Sequence, residues 1–169
     1  MLSSVRYLST LLASNTQRQT IYALSTPPGK GGVAIVRVSG PDAKIVWDNM
    51  VRSCKPNKPI KDPVPWKLHR CHIVHPKNKS LIDDGLAVYF QGNNMHRPPF
   101  SKINTTTAPH SYTTYPTVEL HIHSGRAFIS AVLSSLSALS ILRPSDSGEF
   151  KRQSSLKRPT SSNPGRGLA

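Results

Sequence analysis

The residue with the most distinctive chemical setting in this 169-residue chain is Glu119, a lone carboxylate with apolar neighbours. Val118, Leu120 and Ile122 surround it in sequence, and burying an acid is costly unless hydrogen-bond donors satisfy it. Two interpretations stay open. Either Glu119 pairs structurally with backbone groups or with Arg37, or it accepts two parallel N–H donors from a ligand.

A second candidate is the glycine-rich turn formed by Gly29, Gly31 and Gly32 around Lys30. Closely spaced glycines let backbone N–H groups approach an anion, as in phosphate-binding loops. The sequence does not contain the motifs of nucleotide-binding proteins. Lys30 is followed by glycine where a Walker A loop requires Ser or Thr, and the guanine-specifying motif Asn-Lys-x-Asp is missing. This chain alone is therefore not expected to bind a nucleoside triphosphate. The alternative for the turn is a sharp strand connection that requires positive φ.

The candidate metal ligands are His69, Cys71, His72, His75, His121 and His123. His121 and His123 face the same side of a predicted strand, but zinc needs three or four converging ligands, and neither C-x-x-C nor H-E-x-x-H spacing is present. We therefore expect no metal and interpret these residues as polar groups on an open sheet face. Asp83 and Asp84, before Gly85, are interpreted as turn residues and not as a catalytic acid pair. No Ser-His-Asp or Cys-His set is recognisable by spacing, so no catalytic residue is predicted.

The elements that would position these residues begin with two short strands, at residues 21–24 and 33–38, on either side of the glycine turn. A helix is predicted next, with Ser39 as its N-cap and its end near Cys54. Its apolar residues recur at helical spacing: Ala43, Val46, Trp47 and Met50.

The second half of the pattern contains three further strands and one helix. Residues 67–75 and 81–90 are strand-like runs joined by a hairpin loop at 76–80, and residues 117–123 alternate as a strand. An apolar stripe over residues 128–139 then predicts a helix. The order β-β-α-β-β-β-α predicts an α+β fold, a mixed β-sheet with packed helices.

The ends of the chain differ in composition from the middle. The net charge is +14, but residues 42–150 hold 13 basic and 8 acidic residues, which makes this part only mildly basic. Residues 1–19 are rich in Ser, Thr and Leu, contain two Arg and no acid, and are typical of a mitochondrial transit peptide; the alternative is an ordinary disordered leader. Residues 95–115 predict a long exposed loop. Residues 151–169 form a basic tail without periodicity and are predicted to be disordered.

Two classes of protein are excluded by the sequence. Its apolar runs are far shorter than the roughly 18 residues that a membrane-crossing helix requires, so no membrane insertion is expected. Two cysteines, Cys54 and Cys71, cannot form the framework of a disulfide-rich secreted domain.

Several segments together resemble the tRNA-modification GTPases of the MnmE/TrmE type. These segments are T-I-Y-A-L-S-T-P-P-G-K-G-G-V-A-I-V-R-V-S-G at 20–40, I-D-D-G-L-A at 82–87, S-Y-T at 111–113, V-E-L-H-I-H-S-G at 118–125 and G-E-F at 148–150. They follow in the family's order and cover residues 20–150 with gaps. The T-P-P-G-x-G-G-V segment is long and specific.

The resemblance implies an N-terminal α+β domain that binds 5-formyltetrahydrofolate or a related tetrahydrofolate and forms a homodimer. In the full-length family a helical domain and a GTPase domain follow, with GTP, Mg²⁺ and K⁺. With a flavoprotein partner of the MnmG type, such an enzyme modifies carbon 5 of the wobble uridine in certain tRNAs, in the mitochondrial matrix for an organelle form. The implied folate contacts are Arg37 and Glu119, with Gly29, Gly31 and Gly32 bordering the ligand or the dimer interface.

The chain departs from the family pattern in three places. S-Y-T continues into Thr114 rather than Gly-Glu-Asp, residues 95–110 look inserted, and the segment after Phe150 lacks the lysine of the family's folate site. Without the helical and GTPase domains, no enzymatic activity is expected from this chain alone. The alternatives are a small basic RNA-binding adaptor in mitochondria that uses residues 151–166 as an arm, and a truncated product without function.

Overall fold

The computed structural model describes residues 19–27, 31–55, 59–92 and 115–155. Within these ranges the chain forms one seven-stranded sheet and three helices. The predictions for residues 1–18, 93–114 and 156–169, and for Gly29, lie outside the described residues.

The sheet is mixed, which confirms the predicted α+β class. Its strands are β1 (Thr20–Leu24), β2 (Val33–Ser39), β3 (Val51–Ser53), β4 (Leu68–Val74), β5 (Leu81–Phe90), β6 (Thr117–His123) and β7 (Leu142–Pro144). Their spatial order is β3-β4-β5-β6-β2-β1-β7. Neighbouring strands are antiparallel except β1 and β7, which pair in parallel.

The helices are α1 (Ala43–Met50), α2 (Arg126–Ser137) and α3 (Glu149–Ser155). All four residues predicted to form the apolar side of α1 are buried, and this face packs with that of α2 into one core cluster. We call the sheet face that contacts this core the covered face, and the opposite one the open face. Among the described residues, none of the helices has the length and hydropathy that a membrane-spanning segment requires.

The two faces follow from the alternation of side chains along each strand. On β2 and β6, the covered face receives Val36 and Leu120, which lie directly opposite each other and are fully buried. The open face receives their chain neighbours, and the register places Arg37 opposite Glu119. The same alternation puts Leu86 and other β5 residues on the open face, opposite β6.

Two glycines are required by close contacts of the backbone. A Cβ added at Gly85 in β5 would collide with the backbone carbonyl oxygen of His121 in β6. At the other end of the molecule Gly40 has φ +146°, a conformation that side chains disfavour, and a Cβ there would collide with Thr20. Both glycines are therefore explained by the backbone of this chain.

The start of α1 differs from the prediction. Ser39 is the last residue of β2, because it pairs with both neighbouring strands, β1 and β6. Asp42 occupies the N-cap without a side-chain capping bond. Its backbone N–H donates instead to Thr20 Oγ1, at 2.9 Å, which ties the start of the helix to β1.

Three short elements were missed by the sequence patterns. The predicted extension of α1 to Cys54 is wrong, because the helix ends at Met50 and the next three residues form β3 against β4. The strand β7 was not predicted. The structure also continues α3 to Ser155, five residues into the segment for which composition predicts disorder.

Two side-chain contacts hold α3 in place. Glu149, in its first turn, accepts hydrogen bonds from both terminal nitrogens of Arg143 in β7. Gln153 Nε2 donates to the carbonyl oxygen of Gln19 at 3.1 Å. These contacts hold α3 against the edge strand β7 and the residue that precedes β1.

Candidate functional site

Arg37 and Glu119 form an ion pair at the centre of the open face. They lie opposite each other on antiparallel β2 and β6. Arg37 Nε and Nη2 both donate to the same oxygen, Glu119 Oε1, at 2.8 and 2.5 Å. Glu119 is buried, whereas the arginine side chain is about one-third exposed. The structural pairing that the sequence left open is therefore present.

The second carboxylate oxygen of Glu119 is not used by the arginine. His121 Nε2 lies 3.4 Å from Oε2. This ring nitrogen is buried, and among the described residues it makes no hydrogen bond of good geometry. The neighbouring His121 ring and the Arg37 guanidinium outweigh burial and lower the pKa of Glu119. The group is therefore an ionised carboxylate at neutral pH, with one oxygen that Arg37 does not occupy.

Apolar side chains extend from this pair across the open face. Val88 is buried directly opposite Glu119, and Leu68, opposite Val88 on β4, is 53 % exposed. Leu86 is 38 % exposed, and the Trp66 ring packs edge-on against Phe90 with ring centroids 4.9 Å apart. The ion pair is thus flanked by partly exposed apolar surface, which is unusual for a solvent-facing sheet.

The glycine turn connects β1 to antiparallel β2, but the positive φ that the strand-connection interpretation requires is not found at Gly31 or Gly32. Neither Gly31 nor Gly32 has positive φ; among the residues the structure describes, Gly40 and Gly148 are the glycines that do. Among the described residues, a Cβ added at Gly32 would meet nothing within 4 Å, and one at Gly31 would make only an ordinary contact. Packing against the described part of the chain therefore does not explain why these two positions are glycine.

Gly31 borders a cavity that is separate from the ion pair. The cavity has a volume of about 1050 Å³ and lies between the end of β1 and one side of α2 along the whole length of that helix, with Leu24, Arg126 and Ser137 in its walls. Its lining does not include Arg37 or Glu119. The structure thus brings Arg37 and Glu119 together, while Gly31 belongs to a different part of the surface.

The six histidines and cysteines considered as metal ligands do not converge. His69 packs edge-on against Trp47, with ring centroids 5.5 Å apart, and Cys71 is fully buried in the core. His72, the next residue along β4, points to the other face of the sheet. Burial raises the pKa of the Cys71 thiol to about 12, so this cysteine stays protonated.

The two adjacent aspartates are strand residues, which corrects their interpretation as a turn. Both lie within β5, and consecutive residues of a strand point to opposite faces. Asp83 is buried and accepts the backbone N–H of His123 at 2.8 Å, with the ring Nδ1 of His123 also 2.8 Å away. Asp84 is exposed and accepts a bond from Arg70 at 2.9 Å. Neither arrangement is a catalytic acid pair.

A cluster of polar side chains that the sequence did not reveal lies near the edge of the open face. The ligand atoms of Cys54, His72 and Asp84 all lie within 4.8 Å of one another. The cluster depends on β3, which carries Cys54 to the side of β4. Since β3 was not predicted, only His72 of these three residues had been considered as a ligand.

The fold and the site define an α+β domain that presents a partly buried ion pair on an open, partly apolar sheet face. The sequence profile of the family described as "GTP-binding protein TrmE N-terminus" matches residues 20–96 and 102–158. The chain belongs to this family, which confirms the resemblance found in the sequence.

Relatives with known names span the same region. The chain is 39 % identical over 134 residues to the mitochondrial 5-taurinomethyluridine-[tRNA] synthase subunit GTPB3 of Danio rerio, covering 79 % of this chain and 22 % of that protein. It is 36 % identical over 135 residues to the tRNA modification GTPase MnmE of Parvibaculum lavamentivorans, and this match covers 80 % of this chain and 26 % of that protein. It is 32 % identical over 138 residues to the mitochondrial tRNA modification GTPase gtpbp3 of Dictyostelium discoideum. That match covers 80 % of this chain and 23 % of the relative. The chain spans about a quarter of the length of these relatives.

Proposed function

We propose that this chain acts as the tetrahydrofolate-binding and dimer-forming N-terminal part of a mitochondrial enzyme that modifies carbon 5 of the wobble uridine in tRNA. The names of the relatives support the tRNA modification GTPase class and, for two of them, the mitochondrion. The composition of residues 1–19 supports import into the matrix. GTP hydrolysis belongs to a GTPase domain whose nucleotide motifs this sequence does not contain.

The observation that carries the folate proposal is that Arg37 donates only to Oε1 of the Glu119 carboxylate and not to Oε2. Each oxygen of a buried, ionised acid normally has at least one hydrogen-bond donor, since unmet polar groups are costly in low dielectric. Arg37 bonds only Oε1, and His121 Nε2 lies 3.4 Å from Oε2. In this proposal the remaining acceptor capacity of Oε2 is used by N–H donors from a ligand on the open face. The aminopyrimidine edge of a pterin presents such donors side by side.

Arg37 complements the same ligand. Its guanidinium is about one-third exposed beside Glu119 and remains charged at any physiological pH. A folate carries an anionic glutamate tail in addition to its donor-rich pterin. The pair therefore offers an acceptor for one end of the ligand and a cation for the other, within one ion pair.

A folate on this face needs a cover, and a second copy of the chain supplies one in this proposal. Among the described residues, α1 and α2 pack on the covered face and leave the face of Arg37 and Glu119 open, so a ligand there would lie on an open surface. The partly exposed apolar residues around the pair favour association of two open faces. Gly31 and Gly32, which packing in one chain does not require, would border the ligand or the partner.

The remaining partners follow from the same family membership. A flavoprotein of the MnmG type would supply the redox chemistry, and tRNA would be bound by the assembled complex and contacted by this chain only indirectly. Residues 42–150 are only mildly basic in sequence, which does not by itself favour direct RNA binding by this part of the chain.

Calorimetric titration of 5-formyltetrahydrofolate into the full chain tests the proposal. We expect a binding isotherm for the parent and at least about tenfold weaker binding, or 1.4 kcal/mol, for Glu119→Gln. Asp48→Asn, at an exposed carboxylate on α1, is the matched control and should bind as the parent does. No heat from the folded parent, or equal affinity of the parent and Glu119→Gln, would refute the folate site.

A further inference from the structure

We propose that Cys54, His72 and Asp84 form a zinc site at the edge of the open face, independent of the folate proposal. The three side chains come from three successive parts of the sheet. His72 and Asp84 lie directly opposite each other on β4 and β5, and Cys54 follows β3, which pairs with β4 on its other side. The ligand atoms of all three converge to within 4.8 Å.

The distance between Cys54 and Asp84 is close to the value that tetrahedral coordination requires. Zn–S bonds of about 2.3 Å and Zn–N or Zn–O bonds of about 2.0–2.1 Å place neighbouring ligand atoms roughly 3.4–3.6 Å apart. Cys54 Sγ is 3.7 Å from Asp84 Oδ1 and donates its thiol hydrogen toward it. This hydrogen therefore lies between two atoms that would both bind the metal.

Arg70 prepares the carboxylate for this role. Its Nη2 donates to Asp84 Oδ2 at 2.9 Å, which leaves Oδ1 directed toward Cys54. Carboxylates that bind metals are commonly held by such outer hydrogen bonds, which fix their orientation. With Oδ2 occupied, Asp84 would bind the metal through one oxygen.

The donor set selects the type of metal. A thiolate, an imidazole and one carboxylate oxygen suit a borderline-soft dication such as zinc, and do not suit magnesium or calcium, which prefer oxygen ligands alone. Binding would replace the thiol hydrogen by the metal and release that proton to the buffer, with no change of oxidation state. Cys54 and His72 are half-buried and Asp84 is exposed, so water can occupy a fourth position.

Cobalt reports on the site because tetrahedral cobalt and cobalt–thiolate bonds absorb visible and near-ultraviolet light. The full chain, reduced and freed of metal by a chelator, is titrated with CoCl₂ and then with ZnCl₂. We expect a thiolate-to-cobalt absorption band that zinc abolishes, no such band in Cys54→Ser, and at least about tenfold weaker binding in His72→Gln and Asp84→Asn. His75→Gln, one residue after the end of the same strand, is the matched control and should behave as the parent.

Alkylation keeps the test valid if a variant fails to fold. Zinc should protect Cys54 of the parent protein from iodoacetamide, as read by mass spectrometry of its peptides. Cys71 is fully buried and serves as the internal control that should stay unmodified with and without zinc. The proposal is overturned if the parent shows no thiolate band, if folded Cys54→Ser retains it, or if zinc leaves the alkylation of Cys54 unchanged.

Discussion

Arg37 and Glu119 face each other across β2 and β6, and two nitrogens of the arginine donate to a single carboxylate oxygen. This geometry is unlike the forked pairing in which each nitrogen meets its own oxygen. It satisfies the charge of a buried acid while leaving Oε2 beside His121. The pair is therefore both a stabilising contact of the sheet and the best candidate for ligand recognition.

The first prediction concerns the stability that this pair provides. Arg37→Met should lower the free energy of unfolding by about 2 kcal/mol, because it leaves the buried Glu119 carboxylate without its charged donors. The double variant with Glu119→Gln should lose less than the sum of the two single variants, since removing both charges leaves none unpaired. Urea unfolding of the four proteins gives this coupling energy.

The exposed pair of Lys44 and Asp48 on α1 is the matched control for that cycle. Its N–O distance is also 2.8 Å, but both side chains are at least 40 % exposed. Its coupling should be about 0.3–0.5 kcal/mol, as for exposed pairs four residues apart on a helix. Equal coupling at the two sites would contradict the claim that burial strengthens the contact of Arg37 with Glu119.

The second prediction is a loss of stability in acid. The pKa of Glu119 is lowered by His121 and Arg37, and that of Glu149 by its bonds from Arg143. A folded-state pKa below the unfolded value of about 4.3 gives stability that is fully present above that pH and is lost as the pH falls through the folded-state pKa.

The measurement for the acid prediction is the free energy of unfolding in urea between pH 6 and pH 3. It should fall with pH in the parent, and the fall should be shallower in Glu119→Gln and in Glu149→Gln. The variant carrying both substitutions should show the shallowest slope. An unchanged slope in both single variants would mean that these carboxylates do not carry the predicted linkage.

The sequence predicted the long elements and missed the shortest ones. β5 and β6 have the predicted bounds, because β6 alternates over seven residues and β5 is a ten-residue strand-like run that follows a turn. β3 and β7 have three residues each and no period of their own, so only their pairing partners define them. Ser39 has the chemistry of an N-cap but lies in a strand, since tertiary pairing outweighs a local preference.

The candidate site could be predicted only in part for a related reason. A carboxylate in an apolar strand was sufficient to select Glu119, and Arg37 was named as one of its partners. Which of its oxygens is used depends on side-chain geometry that a residue pattern does not contain. The approach of Cys54 to His72 and Asp84 requires the register of three strands, and such non-local pairing is not visible in sequence spacing.

The third prediction separates the glycines that the fold needs from those it does not. Gly85→Ala should destabilise the protein by about 2 kcal/mol, because its Cβ would collide with the His121 carbonyl oxygen and force β5 and β6 apart. Gly32→Ala should leave the melting temperature nearly unchanged, since a Cβ there meets nothing within 4 Å. Thermal melts followed by circular dichroism compare the two variants.

Gly32→Ala also tests whether this turn borders a ligand or a partner. If it does, the variant should be as stable as the parent but weaker in binding 5-formyltetrahydrofolate or in forming dimers. A variant that matches the parent in stability, affinity and association would remove Gly32 from the proposed site. A loss of stability at Gly32 would instead assign the glycine to folding.

The fourth prediction concerns association through the open face. Leu86→Glu should shift the protein from dimer to monomer in sedimentation velocity, because it places a charge in the apolar surface beside Glu119. In a two-fold symmetric interface each substitution acts twice, so the dissociation constant should rise at least about tenfold, or 1.4 kcal/mol.

Ile45→Glu is the matched control, because Ile45 is similarly exposed but lies on α1. A monomeric parent, or equal weakening by the two substitutions, would rule out the open face as the dimer interface; it would also leave a folate at Arg37 and Glu119 without the cover that the proposed site requires.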